Sequence, residues 1–148
     1  MQELMLALLI WIGGNSDYNA NVPLPAVEYR SFEALYQMGY TKYASDKKLP
    51  KVWAIYDNST VYLHNGFDMA DIKDRSRLLH EMIHHLQVVE NKLFRCDAAM
   101  EKEAYQVQER WLKDQGSAYF GPDEKELAMD YGCSGSRSEN EEIERKYL

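Results

Sequence analysis

The stretch Leu78-Leu79-His80-Glu81-Met82-Ile83-His84-His85-Leu86 surrounds three histidines and a glutamate with apolar side chains at helical spacing. The apolar face continues to position 89, with intervals of three and four residues throughout. Asp68 or Asp71 can cap the start of this segment, and Asp74 suits the positive end of a helix dipole. The pattern predicts an amphipathic helix that runs to about Glu90.

Two histidines four residues apart on this helix face the same way. His80 and His84 are separated by about one helical turn, so both imidazoles can reach one ion. Zinc accepts such nitrogen ligands and, in a hydrolytic site, keeps one position for water. Glu81 stands beside the first ligand and can accept the proton of that water. The His-Glu-x-x-His spacing therefore predicts a Zn²⁺ site with Glu81 as the catalytic base.

A third protein ligand is expected from the next predicted helix. Glu103 shares a helical stripe with Met100 and Val107, so it should face inward, where binding to a metal compensates a buried carboxylate. Glu101 shares its stripe with Tyr105 and should lie at the border of the packed face. We predict Glu103 as the third metal ligand, with Glu101 as the alternative; in the remaining interpretation both are solvated carboxylates.

The motif His80-Glu81-Met82-Ile83-His84, followed by Glu103-Ala104, resembles the gluzincin arrangement of zinc metallopeptidases. It is most similar to the small, single-domain minigluzincins and to uncharacterised bacterial domains with a His-Glu-x-x-His-His-Leu-Gln run. The similarity covers about residues 52–112. It implies that His80, His84 and Glu103 bind zinc and that Glu81 is the general base and acid in peptide-bond hydrolysis. It further implies that the second strand of a hairpin, residues 61–64, pairs with an extended peptide or protein substrate.

The sequence departs from the larger gluzincins around the third ligand. Those proteins carry an Asn-Glu-x-x-x-Asp pattern whose Asp orients a histidine, and residues 102–107 lack that Asp. Another group must then anchor the free ring nitrogens of the histidines. The group that stabilises the oxyanion stays open among four residues: Tyr62, Tyr105, Tyr131 and His64. Away from such a role, His64 is expected to be a solvated strand residue, and His85 a hydrogen-bonded core residue.

A second function is consistent with the same ligands. Small domains of this kind have little surface with which to hold a long substrate. The alternative is therefore a catalytically silent, zinc-containing module that binds or regulates a partner protein.

The rest of the chain predicts an α+β domain. We expect a zincin-like single domain over residues 1–133, with a small antiparallel sheet, the His-Glu-x-x-His helix and a packed glutamate helix, followed by a frayed polar tail over 134–148. The remaining predicted elements are a helix at 4–12, a strand at 26–30, a short helix capped by Ser31, a hairpin of 51–56 with 61–64, a helix capped by Asp97 that reaches Gln115, and a helix from Pro122 to Gly132. The alternative interpretation of residues 4–12 is a secretory leader.

Composition excludes some function classes. The net charge of −7 argues against nucleic-acid binding. The sequence contains no run of 18 apolar residues, so we predict no insertion into a membrane. The oligomeric state stays open.

The two cysteines, Cys96 and Cys133, are too few for a disulfide scaffold. A bond between them, which we favour, would indicate a periplasmic or secreted protein, whereas free thiols would indicate a cytoplasmic one.

Overall fold

The computed structural model describes residues 1–40 and 51–119. Within these residues the chain forms four helices and three strands, which confirms the α+β class. The elements are α1 (Gln2–Asn15), β1 (Ala26–Arg30), α2 (Phe32–Tyr40), β2 (Ala54–Asp57), β3 (Thr60–His64), α3 (Ile72–Val89) and α4 (Asp97–Asp114).

Local side-chain chemistry sets where several helices begin and end. The Asp71 carboxylate accepts a hydrogen bond from the Lys73 backbone N–H at 2.7 Å and caps α3. The Ser31 hydroxyl accepts one from the Ala34 N–H at 3.1 Å and caps α2 in the same way. Beyond the end of α4, Gly116 adopts a φ of +69°, the left-handed conformation that favours glycine. Asp97 is the first residue of α4 and not its cap, because Cys96 occupies the cap position.

The sheet is mixed, which corrects the predicted antiparallel sheet. Its strand order is β1-β3-β2, with β2 antiparallel to β3 and β1 parallel to β3. The chain reverses direction once between β1 and β2 and again at the hairpin, so β3 runs the same way as β1. Residues 31–59 supply the long connection that a parallel pair needs.

The hairpin forms as predicted, although its first strand begins at Ala54 and not at position 51, and its turn has only two residues. Asn58 and Ser59 both have positive φ angles, of 47° and 62°, as a turn that matches the twist of the strands requires. β3 lies between the other two strands, so both of its edges are already paired. It therefore has no free edge for a peptide, which corrects the expectation for residues 61–64.

The core lies between the three longest helices and one face of the sheet. The apolar N-terminal run forms α1, which extends beyond the predicted end and contributes a buried stripe to this core. Its buried members are Met5, Leu8, Leu9 and Ile12. α3 packs against both α1 and α4, and β2 and β3 lie across it. In the described part of the chain, no helix combines the length and apolar character needed to cross a membrane.

Cys96 is disulfide-bonded. Cys133, the other cysteine of the sequence, lies outside the described residues. The predicted helix at 122–132, the domain end at 133 and the tail at 134–148 lie outside them as well.

Candidate metal centre

His80 and His84 lie side by side on the buried face of α3. Their side chains point to the same place, with the two Nε2 atoms 3.2 Å apart. Both residues are more than nine-tenths buried. The helical spacing therefore brings the two imidazoles together, as the sequence predicted.

The carboxylate of Glu101, on α4, completes this cluster. Its Oε2 lies 3.0 Å from Nε2 of His80, and its Oε1 lies 2.9 Å from Nε2 of His84. One ligand atom from each of the three residues lies within 4.8 Å of the others, a grouping able to hold a metal ion. The Glu101 side chain is 40% exposed, so the cluster sits at the protein surface on that side.

Glu103 does not join the two histidines. Its carboxylate accepts hydrogen bonds from the Tyr18 hydroxyl and from the Gln87 amide, and it pairs with the Lys92 ammonium. The reason is the packing of α4. Ala104, at the centre of the face that meets α3, is fully buried, and the two glutamates lie on opposite sides of it. Glu101 faces the histidines and Glu103 faces the loop after α1.

Glu81 lies at the crossing of α3 and β2. It is buried, with 8% of its surface exposed, and the Tyr56 backbone N–H on β2 donates to its carboxylate. Burial raises the pKa of Glu81, and the neighbouring imidazoles of His80 and His84 oppose that rise. The predicted base is thus held in place beside the histidine pair.

The outer ring nitrogens of both histidines face glutamine amides. Nδ1 of His80 lies 3.1 Å from Oε1 of Gln108, and Nδ1 of His84 lies 2.7 Å from Oε1 of Gln87. These two amide oxygens anchor the outer ring nitrogens of the histidines.

The electrostatics of the cluster favour positive charge between its members. Burial on its own lowers the pKa of His84, but the carboxylates of Glu101 and Glu81 more than offset this and raise that pKa to about 10. Burial likewise raises the pKa of Glu101, yet the two imidazoles hold that pKa well below its ordinary value. The Glu101 carboxylate and the His84 imidazole thus stabilise each other's charged forms.

The other two histidines have structural partners. Nε2 of His85 donates to the Pro23 carbonyl at 2.8 Å, and its Nδ1 lies 3.1 Å from the Tyr56 hydroxyl, as expected for a core residue. His64 is buried, which corrects its expected solvation: its Nε2 lies 2.8 Å from Asp74, and its ring stacks on Phe32.

The predicted candidates for oxyanion stabilisation fall in different places. The Tyr105 ring packs against the His80 ring, with centroids 4.4 Å apart. Tyr62 lies on β3 beneath the Arg30 guanidinium, and Tyr131 is outside the described residues. Of these three, only Tyr105 has a described contact with the cluster of His80, His84 and Glu101.

One family model matches most of the chain. It is described as "Domain of unknown function (DUF6647)", and the match spans residues 1–135, including α3 and α4, the two helices that carry His80, His84 and Glu101. The chain belongs to this family. No curated protein and no solved structure matches it. The functional assignment of this DUF6647 domain therefore rests on the chemistry of its own residues.

Sequence reasoning missed two residues of the site, although each carried a signal. Gln87 follows His84 by three positions, on the same helical face. Gln108 follows Glu101 by seven positions, which returns it to the same side of α4. A polar stripe of Glu101 and Gln108 facing the histidines would have favoured Glu101 over Glu103.

Proposed function

We propose that this DUF6647 domain is a zinc metallopeptidase with a zincin-like architecture. In this proposal His80, His84 and Glu101 bind Zn²⁺, and Glu81 is the catalytic base. The observation that supports it most is the meeting of two imidazole Nε2 atoms and a carboxylate within 4.8 Å, next to a buried second carboxylate.

The donor set suits zinc. Two histidines and one glutamate form a known ligand set of catalytic zinc sites, and three protein ligands leave one coordination position for water or substrate. Both Nδ1 atoms face amide oxygens, so both Nε2 atoms can offer a lone pair. Acceptor atoms 2.9–3.2 Å apart repel one another unless a positive charge lies among them, either the proton that His84 holds in the metal-free protein or a metal ion that replaces it. A divalent metal meets that need.

Glu81 would perform the proton transfers of hydrolysis. Zinc bound at this site supplies Lewis acidity toward a substrate carbonyl oxygen and a water molecule. The Glu81 carboxylate accepts a proton from the water as the water oxygen forms a bond to the carbonyl carbon. It then gives the proton to the amide nitrogen as the carbon–nitrogen bond breaks. The Tyr56 N–H keeps the carboxylate oriented for both steps.

The substrate would bind along β2. This strand is an outer strand of the described sheet and lies across α3 near Glu81. An extended peptide that adds to its outer edge would pass over the histidine pair, with recognition mainly through the peptide backbone.

The test of the proposed function is the Glu81→Gln variant, assayed with a broad library of fluorogenic peptides. We expect it to keep about one zinc per chain and to lose at least about 100-fold in hydrolysis, because the amide cannot accept the proton. Glu33→Gln, an exposed glutamate on α2, is the matched control and should hydrolyse like the wild type.

Two results would contradict this function. One is a Glu81→Gln variant as active as the wild type. The other is a wild-type protein that carries zinc and cleaves no peptide of the library, a result that favours the protein-binding module instead.

A further inference from the structure

Two buried glutamines face the sides of the histidine rings that point away from the metal cluster. We infer that Gln87 and Gln108 are positioning residues that fix which nitrogen of each neutral imidazole carries the hydrogen, and so present both Nε2 atoms to the metal when it binds. The inference deepens the proposed zinc site and rests on it for its role in metal binding. Its structural part follows from the direction of each hydrogen bond.

The orientation of the Gln87 amide is set by two acceptors. Its Nε2 donates to the Met100 carbonyl at 3.1 Å and to the Glu103 carboxylate at 3.3 Å, and neither of these groups can donate in return. The amide oxygen must therefore be the atom that faces His84, 2.7 Å from Nδ1. Because an amide oxygen only accepts, Nδ1 of His84 carries the hydrogen.

The same reasoning fixes Gln108 through a short relay. The Ser76 hydroxyl donates to the Lys73 carbonyl at 2.7 Å, which leaves its oxygen lone pairs as acceptors. Nε2 of Gln108 donates to that oxygen at 3.1 Å, so the amide oxygen faces Nδ1 of His80. His80 therefore also carries its hydrogen on Nδ1.

Burial makes this arrangement costly to break. Gln87 is 1% exposed and Gln108 is 4% exposed, so an amide group that lost its partner would have no water to replace it. The other tautomer would point an N–H into the cluster and would leave Nδ1 and an amide oxygen as two facing acceptors. Both glutamines thus accept the Nδ1–H hydrogen bond that a carboxylate accepts in many other zinc sites, without adding negative charge.

The experiment combines zinc affinity with nuclear magnetic resonance of the histidine rings. Zinc affinity is measured by competition with a chelator for Gln87→Leu and Gln108→Leu. We expect each to bind zinc about 10–100-fold more weakly than the wild type, the loss typical of removing the partner of a ligand. Gln106, an exposed glutamine on the same helix as Gln108, supplies the matched control: Gln106→Leu should bind zinc like the wild type.

A conservative variant and a spectroscopic readout separate positioning from simple structural damage. Gln108→Glu keeps an acceptor for Nδ1 of His80 and should restore zinc affinity to within a few-fold of the wild type. In the ¹⁵N-labelled wild type, both Nδ1–H protons should be visible and slow to exchange with water. The Nδ1–H signal of His84 should be lost only in Gln87→Leu, and that of His80 only in Gln108→Leu.

The outcomes distinguish this inference from the proposed function. Hydrogens on Nε2 in place of Nδ1, or leucine variants that bind zinc as tightly as the wild type, would overturn the inference. A wild type that binds no zinc yet shows both protected Nδ1–H protons would overturn the zinc function and support the tautomer assignment.

Discussion

Glu101 and Glu103 stand two positions apart on α4 and have separate sets of partners. Glu101 contacts His80 and His84. Glu103 contacts Tyr18, Gln87 and Lys92. We expect Glu101→Ala to weaken zinc binding by more than about 100-fold. Removal of a ligand should cost more than removal of a ligand's hydrogen-bond partner, which costs up to about 100-fold. We expect Glu103→Ala to leave zinc affinity within a few-fold of the wild type.

The second variant should instead reduce stability. Without Glu103 the buried Tyr18 hydroxyl loses its acceptor, and the free energy of unfolding of the metal-free protein should fall by about 1–3 kcal/mol. Chelator competition and urea unfolding measure the two effects. The reverse pattern, with zinc lost in Glu103→Ala and kept in Glu101→Ala, would restore the ligand set that the sequence alone favoured.

The buried Asp74 carboxylate should make the free energy of unfolding depend on pH in the acid range. Burial on its own raises its pKa, but hydrogen bonds from the Asp68 N–H, His64 and Arg77 more than offset this and hold the pKa below its ordinary value. A carboxylate of this kind stabilises the fold above its ordinary pKa of about 3.9, and the contribution is lost as pH falls through the folded value.

The free energy of unfolding of wild type and Asp74→Asn should therefore differ most above about pH 4. The difference should narrow as the pH is lowered further. Urea unfolding at a series of pH values measures it. A difference that stays constant or widens toward low pH would show that the charge of Asp74 does not stabilise the fold.

The part of the site that lies on one helix could be predicted, because helical pitch alone determines it. His80, Glu81 and His84 needed only the geometry of α3. The choice between Glu101 and Glu103 could not be made in the same way, since the two residues lie on opposite sides of Ala104. It depends on how α4 packs against α3, which periodicity within α4 does not determine, although the polar stripe of Glu101 and Gln108 points toward Glu101.

At the scale of elements, the turn between β2 and β3 offers a direct test. Ser59 has a φ of 62°, where a side chain is disfavoured, and it is exposed. Ser59→Gly creates the Asn-Gly pair that such turns prefer and should raise the free energy of unfolding by up to about 1 kcal/mol.

Ser59→Ala is the control for the loss of the hydroxyl. It keeps the β-carbon, and with it the strained conformation, so it should give no gain. Urea unfolding of the three proteins measures both effects. An equal gain from alanine and glycine would mean that backbone strain at this position is not the cause.

The individual elements could be predicted better than their arrangement. β1 and the hairpin follow from alternating residues and turn chemistry, and α3 follows from its apolar face and the Asp71 cap. The direction of β1 against β3 depends on how the chain returns after α2, which no local pattern records. The same non-local fact places β3 in the centre of the sheet and leaves β2 as the strand beside Glu81.

For the whole molecule, the proposed zinc site joins two helices that already share a core. His80 and His84 come from α3, and Glu101 comes from α4, so a metal ion bound to all three would tie these helices together at the surface. The match to the DUF6647 family extends over both helices and the sheet. The central claim is therefore that this domain has one metal site, built from these three ligands.

Anomalous X-ray diffraction at the zinc edge, from crystals grown with zinc, tests that claim most directly. We predict one strong peak within about 2.0–2.2 Å of Nε2 of His80, Nε2 of His84 and a carboxylate oxygen of Glu101. A peak bound by Glu103 in place of Glu101, or no peak between the two histidines, would contradict it.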